Sequence, residues 1–195
     1  MSTVPSTEQR PLRADAQRNR ARILEAAKQV FSEQGIDAQM DDVAARAGVG
    51  VGTVYRHFAN KDVLLGELVK DKFDSFTERA RAALDEPDAW EAFCGLVWAN
   101  AEHMSQDVGL QDTLRRATTA WEYAEGSRLE LQKVTSKLIK RAQREGKLRK
   151  DFTVEELAML MGGLCATMGP GAYPGSFDWR RHLEIMLDGL HAKSR

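Results

Sequence analysis

The sequence predicts an all-α protein. No segment alternates apolar and polar residues at period two over the length of a strand. Apolar residues instead return every third or fourth position through most of the 195 residues. Those periodic runs are bounded by helix start and stop signals. The elements fall into a short N-terminal group and a longer C-terminal one, with no internal repeat.

From Arg18 to Gln34 the stripe is Ile23, Ala26, Ala27, Val30 and Phe31, and Gly35 is a natural stop. Met40 to Ala47 is a short helix with Asp41 and Asp42 in its first turn, where a helix N-terminus favours acids, and Gly48 ends it. Gly50 to Phe58 forms a second short helix after the turn. Asn60 caps a long helix reaching about Leu84, with Leu65, Leu68, Val69, Phe73, Phe76 and Ala80 as its stripe.

Pro87 and Asp88 open a helix carrying Trp90, Phe93, Cys94, Val97 and Trp98, and a short helix is expected around Leu110 to Ala117. A long charged helix is expected from about Trp121 to Glu145, whose run of Lys and Arg from Lys133 to Lys150 reads as a solvated face. Thr153 and Glu156 form a capping box for the next helix, GPGAYPG at 169–175 reads as a loop, and Trp179 to Leu190 is the final helix.

Composition bounds the function class. With 43% apolar and 29% charged residues and a net charge of −1, the chain has the balance of a globular protein without a general affinity for polyanions. No apolar run approaches the roughly 20 residues of a membrane span, and the N-terminus has no apolar leader core, so no membrane partner is expected. Cys94 and Cys165 lie inside apolar segments, which favours buried thiols in a reducing cytoplasm over a disulfide. His57, His103, His182 and His191 show no metal-ligand spacing, and no nucleophile motif or phosphate loop is present. Neither an enzyme nor a cofactor is expected.

The segment GVGVGTVYRHF, beginning at Gly48, is the most informative. Helix, a short break at Gly48-Val49 and a second helix is the spacing of a helix-turn-helix, whose second helix enters the DNA major groove. Val54 and Phe58 would face inward with Val43 and Ala44. Val51, Gly52, Thr53, Tyr55, Arg56 and His57 would then share the outer surface. The free N–H groups of the first turn could approach phosphate. A glycine at position 52 costs about 1 kcal/mol of helix stability relative to alanine, which is tolerable where close approach to DNA is useful. Ahead of this unit, Arg10, Arg13, Arg18, Arg20 and Arg22 stand against a single Asp15. Such an arm is either a phosphate clamp or a solvated leader.

The ordered set Arg22-Ile23-Leu24, Ala26-Ala27, Val30-Phe31, Gly35, Asp42-Val43-Ala44, Ala47-Gly48-Val49, Gly52-Thr53-Val54-Tyr55, His57-Phe58, Lys61-Asp62 and Leu64-Leu65 resembles the DNA-binding domain of the TetR family of bacterial transcriptional regulators. The resemblance covers roughly residues 18–68. It implies a homodimer, usually a repressor, that binds a palindromic operator on double-stranded DNA and is released by a small-molecule effector held in the C-terminal domain. By position, Val51, Gly52 and Tyr55 would approach bases, while Thr53, Arg56, His57 and Lys61 would hold the backbone. Gly50 stands where relatives often have a hydroxyl residue, and Val51 where many have a polar one. Val51 could instead touch a thymine methyl, with sequence reading moved toward Arg56 and an arginine arm that includes Arg20.

The resulting division is a disordered arm at 1–17, the helix-turn-helix domain at 18–62, and an effector-binding and dimerisation domain at 63–195. Trp90, Phe93, Trp98, His103, Trp121, Met159 and Met168 are the candidates to line an effector pocket, since aromatics and adaptable methionines suit an apolar ligand; ordinary core is the competing reading for each. The helix from Thr153 is apolar nearly all round, with Met159, Leu160, Gly162, Gly163 and Ala166 off its stripe, and Ile185 is off the stripe of the last helix. Two such helices suggest a two-fold interface through Leu157, Met161, Leu164, Leu183, Met186 and Leu187, or else the buried centre of a monomer.

Overall fold

The computed structural model describes residues 9–168 and 178–192, so the loop expected at 169–175 lies outside the described residues. Nine α-helices account for most of the described chain: α1 Gln9–Gln34, α2 Met40–Ala47, α3 Val51–His57, α4 Lys61–Leu84, α5 Ala89–Gln106, α6 Val108–Arg116, α7 Glu125–Arg144, α8 Val154–Thr167 and α9 Trp179–Leu190. Two 3-10 segments, Gly35–Asp37 and Thr118–Ala124, complete them.

Helix starts follow the side chains that cap them. The Asn60 carboxamide accepts from Val63 N at 2.9 Å, Asp88 from Trp90 N at 2.9 Å, Asp107 from Leu110 N at 3.0 Å, and Asp178 from Arg180 N at 2.9 Å. Thr153 and Glu156 close the capping box reciprocally, at 3.3 and 2.8 Å. Each cap satisfies an amide that the helix itself cannot pair.

Two boundaries differ from expectation. The arm expected to be disordered over 1–17 is helical from Gln9, so α1 begins well ahead of Arg18. Pro11 does not prevent this, because the first turn of a helix has no use for the amide that proline lacks. The helix expected from Trp121 starts instead at Glu125, and Trp121 lies in the 3-10 segment. That segment is pressed onto α4. A β-carbon on Gly66 would come within 2.6 Å of the Tyr123 Cβ, and the Trp121 indole donates to Leu114 O at 2.8 Å.

Two hydrophobic cores share α4. The first gathers α1, α2, α3 and the N-terminal half of α4, from Leu64 to Phe73, and adds Leu110 and Leu114 of α6. The second packs Ala80 and Ala83 of α4 against α5, α7, α8 and α9. A small cluster of Phe76, Met104 and Cys165 lies between them. The division expected at 62/63 therefore falls inside the first turn of a helix that belongs to both units. The end of α9 is tied to the turn after α7 by Arg149 N to Leu190 O at 3.0 Å and Ala192 N to Lys147 O at 2.8 Å.

Candidate nucleic-acid interface and effector cavity

The turn between α2 and α3 is built by Gly48. Its φ of 64° is left-handed, and a β-carbon there would also press on the Arg22 guanidinium at 3.3 Å. Arg22 Nη2 donates to Ala47 O at 2.8 Å and so closes the C-terminus of α2. Gly50 is extended and caps α3 through its carbonyl, which accepts from Thr53 N at 2.8 Å. Val54 and Phe58 are almost completely buried with Val43 and Ala44, which sets the rotation of α3.

That rotation presents the other side of α3 to solvent. Val51 is 38% exposed and Tyr55 51%, large values for apolar and aromatic side chains. Gly52 and Arg56 are exposed as well, and Thr53 and His57 are half-buried at the edges. A β-carbon on Gly52 would meet nothing within 4 Å, so the space it leaves open faces outward. Among the described residues no hydrogen bond or ion pair engages the side chains of Tyr55, Arg56 or Thr53.

The other basic candidates are committed to the protomer. Arg20 pairs with Glu67 at 2.5 Å and lies over the Phe58 ring at 5.3 Å, so it braces α3 against α4 instead of projecting as a clamp. The Lys61 ammonium donates to Ile36 O and sits 5.8 Å from the Phe31 ring, satisfying a carbonyl freed by the 3-10 turn. Arg18 pairs with Asp15. Arg20 and Lys61, both expected at the phosphate backbone, are thus each engaged within the protomer as well.

In the second unit a cavity of about 230 Å³ opens between α4, α5, α7 and α8. Its apolar wall includes Phe73, Phe76, Leu96, Val97, Leu157 and Met161, with Trp121 at the α6 end. Trp121 meets Phe73 edge-on at 5.6 Å. Of the seven expected pocket residues, Trp121 alone is in the wall. Phe93 is completely buried, stacked on Trp90 at 5.9 Å and edge-on to Phe152 at 6.1 Å. Trp90 faces His191, and Trp98 faces Trp179. His103 stands behind the wall, 6.0 Å edge-on to Phe76, and Met168 packs on the small cluster around that residue. Met159 is 70% exposed on the outer face of α8.

The residues missed by sequence reasoning are polar ones set among the apolar lining: Lys72, Asn100, Arg115, Arg128, Gln132 and Thr135. One signal for Lys72 was available, a lysine beside the Phe73/Phe76 stripe and one turn before Phe76. Surrounding protein desolvates its ammonium and lowers its pKa below the ordinary lysine value, although the residue as a whole is half-buried. Burial also lowers the His103 pKa, helped by the positive charges of Arg79, Lys72 and Lys28.

The expected interface residues are placed as follows. Leu164, Leu183 and Leu187 are buried within the protomer, Leu157 and Met161 line the cavity, and Met186 is half-buried. The stripes of α8 and α9 are used internally. The opposite faces remain open: Met159 and Ile185, the latter 55% exposed, share one groove with Leu160 and Gly189.

Helix α6 touches both regions. Thr113 Oγ1 donates to Phe31 O of α1 at 2.9 Å, and Ser32 Oγ donates to Asp107 at 2.5 Å. Gly109 lies so close to α1 that a β-carbon would collide with the Ser32 carbonyl oxygen. At its other end α6 places Arg115 in the cavity wall, and its Leu114 carbonyl holds Trp121.

Both cysteines are free thiols. Burial pushes the Cys94 thiol up to about 12, and Cys165 in the cavity wall is raised for the same reason. Among the described residues no group of side chains could hold a metal ion, and no helix is long and apolar enough to cross a membrane.

Residues 23–68 match the family model for bacterial regulatory proteins of the tetR family. Residues 87–192, more than half of the chain, match the model for the C-terminal domain of SbtR-like transcriptional regulators. An HTH-type transcriptional regulator of Staphylococcus aureus (strain USA300) is 36% identical over 76 residues, 38% of this chain and 41% of that protein's length. The crystal structure of a TetR transcription regulatory protein from Mycobacterium vanbaalenii aligns with 93% of this chain and 100% of its own, at 30% identity and a TM-score of 0.63. A TetR transcriptional regulator from Streptomyces coelicolor aligns with 90% of this chain and 99% of its own, at 28% identity and a TM-score of 0.61.

Proposed function

The chain belongs to the TetR family of bacterial transcription regulators, not to an enzyme family, and from that premise we propose that it is a cytoplasmic, ligand-responsive repressor. In this reading a homodimer binds a palindromic operator with one α3 in each half-site, and a small amphipathic effector releases it. The observation that carries the reading is the separation of two unsatisfied surfaces bridged by one helix. The exposed face of α3 has polar and aromatic side chains without partners among the described residues, the cavity lies where the two cores meet, and α6 is clamped to α1 while forming part of the cavity wall.

Filling the cavity would press on Trp121 and Arg115 and so shift α6 against α1. Packed helices move as bodies, so a small shift at the cavity would be passed to α1 and on to the α2–α3 unit packed against it. The exposed apolar faces of α8 and α9, with Met159 and Ile185 at their centre, support a two-fold association that would set the spacing of the two recognition helices. For a dimer reading successive major grooves that spacing is roughly 34–36 Å.

The test is selection of binding sites from a random duplex pool, followed by a salt titration. A palindrome is expected to emerge whose affinity falls steeply with salt. Recovery of no sequence preferred over random duplex would refute operator recognition. A dimeric mass in solution is expected alongside it, and a monomer at micromolar concentration would refute the two-fold reading.

A further inference from the structure

The cavity is apolar over most of its wall, yet its charged lining is of one sign. Lys72, Arg115 and Arg128 contribute to it, and no aspartate or glutamate does. Two of these cations already have partners on their own elements. Arg115 pairs with Asp112 at 2.6 Å, and Arg128 grips Glu125 at 2.6 and 2.7 Å. Lys72 has none; its ammonium lies 5.9 Å from the centre of the Phe76 ring, and among the described residues no ion pair or hydrogen bond engages it. A desolvated cation without a counterion is costly. The same wall holds a second unsatisfied group, the buried Asn100 Oδ1, which has no hydrogen-bond partner. The positive field is felt beyond the wall as well, since Arg79, Lys72 and Lys28 add to burial in lowering the pKa of the neighbouring His103.

We propose that the effector is a small carboxylate with an apolar body, its single negative charge seated on Lys72, a hydrogen-bond donor elsewhere on the molecule within reach of Asn100 Oδ1, and its body against Phe73, Phe76 and Trp121. This deepens the proposed function and rests on its assignment of the cavity as the effector site. A monoanion matches one unpaired cation. A phosphate monoester would call for a second, and Arg115 and Arg128 are already engaged. Size is bounded by the cavity volume of about 230 Å³, which is below the roughly 300–1,000 Å³ of drug-sized sites. Placing the carboxylate on Lys72 replaces the water the ammonium lost and removes the penalty that lowers its pKa. A bound anion thus does what a built-in aspartate would do, and stabilises the cavity only when the ligand is present.

The test uses the full-length protein and calorimetric titration with four probes of equal chain length: octanoate, octan-1-ol, octylamine and octyl phosphate. Octanoate is expected to bind at least about tenfold more tightly than the alcohol, the order of magnitude for a hydrogen bond to a charged group, and octylamine not at all. In Lys72→Met the octanoate preference is lost while octan-1-ol binds as before, and Lys72→Arg restores it. Equal binding of acid and alcohol to the wild type, tighter binding of octyl phosphate or octylamine, binding by none of the four, or an undiminished octanoate preference in Lys72→Met would each overturn the proposal. The wild-type panel decides even if a variant fails to fold. Release of the selected operator by octanoate is measured separately by fluorescence anisotropy. If octanoate binds through Lys72 and the operator stays bound, the charge preference holds and the effector role of the cavity falls.

Discussion

The outer face of α3 and the cavity between α4, α5, α7 and α8 present polar groups in opposite ways. On α3, Tyr55 and Arg56 point away from the protein with nothing in the chain to satisfy them. In the cavity wall, the buried Asn100 Oδ1 has no hydrogen-bond partner and Lys72 no ion pair among the described residues. Around each lies a shell of charges that are already paired: Arg20 with Glu67 and Arg22 with Ala47 O near α3, Arg115 with Asp112 and Arg128 with Glu125 near the cavity. The comparison separates support from recognition. A charge with a partner in its own chain supports the shape, and one without a partner is left available to another molecule. Residue type and position in a motif do not make that distinction: the positions of Arg20 and Lys61 suggest DNA contacts, and both have partners within the chain.

The largest expected effect comes from the face that would join two copies. Ile185→Glu places a charge at the exposed apolar side chains Met159 and Ile185 in the groove of α8 and α9, and sedimentation should show a monomer whose operator affinity falls by about 100-fold or more, the loss expected when one of two linked half-sites is given up. A dimer that survived both this change and Met159→Glu would move the interface elsewhere. Next is Tyr55→Ala, which should weaken operator binding by roughly 30- to 100-fold, the size of an aromatic hot spot, with the melting temperature unchanged because the ring is half exposed. Undiminished binding would remove α3 from the interface.

The link between the two regions can be broken without touching either. Gly109→Ala drives a methyl group into the Ser32 carbonyl and should cost about 1–3 kcal/mol in chemical denaturation, the range for overpacking. An unchanged midpoint would show that α6 is free to move off α1. Gly52→Ala has the opposite signature. Nothing within the protomer opposes the methyl group, so the isolated protein should gain up to about 1 kcal/mol from helix propensity while losing operator affinity. A variant that gained stability and kept its affinity would leave the glycine without a role at DNA.

The smallest effect is the most diagnostic of the comparison. Arg56→Ala should lower the slope of log affinity against log salt by about one phosphate contact. Arg20→Ala should leave that slope alone and lower stability instead, since it removes the Glu67 pair and the cover over Phe58. The reverse result would restore the arginine arm as a clamp.

Legibility in the sequence tracks the range of the interaction. The caps at Asn60, Asp88 and Thr153 and the left-handed Gly48 depend on residues within one turn, and these are the features a linear reading recovers best. The burial of Val54 and Phe58 follows from four-residue spacing against the short α2, which leaves few arrangements open. The cavity was the least legible part. Phe93, Trp90 and Trp98 have the composition of a pocket but are satisfied by core neighbours, whereas Phe73 and Phe76 carry the wall from a helix that reads as ordinary stripe.

The sequence by itself determined that the chain is helical, where most helices begin, and that α3 turns Val51, Tyr55 and Arg56 outward, because each of these is settled by periodicity and by hydrogen bonds made close along the chain. Only the tertiary structure decided which cations are spent on the fold, which side of α8 lines the cavity, and which side is left for a partner. A helix apolar on every face carries no internal mark to tell those faces apart. The neighbours that α8 meets, α5 and α7 on one side and α9 on another, assign the roles.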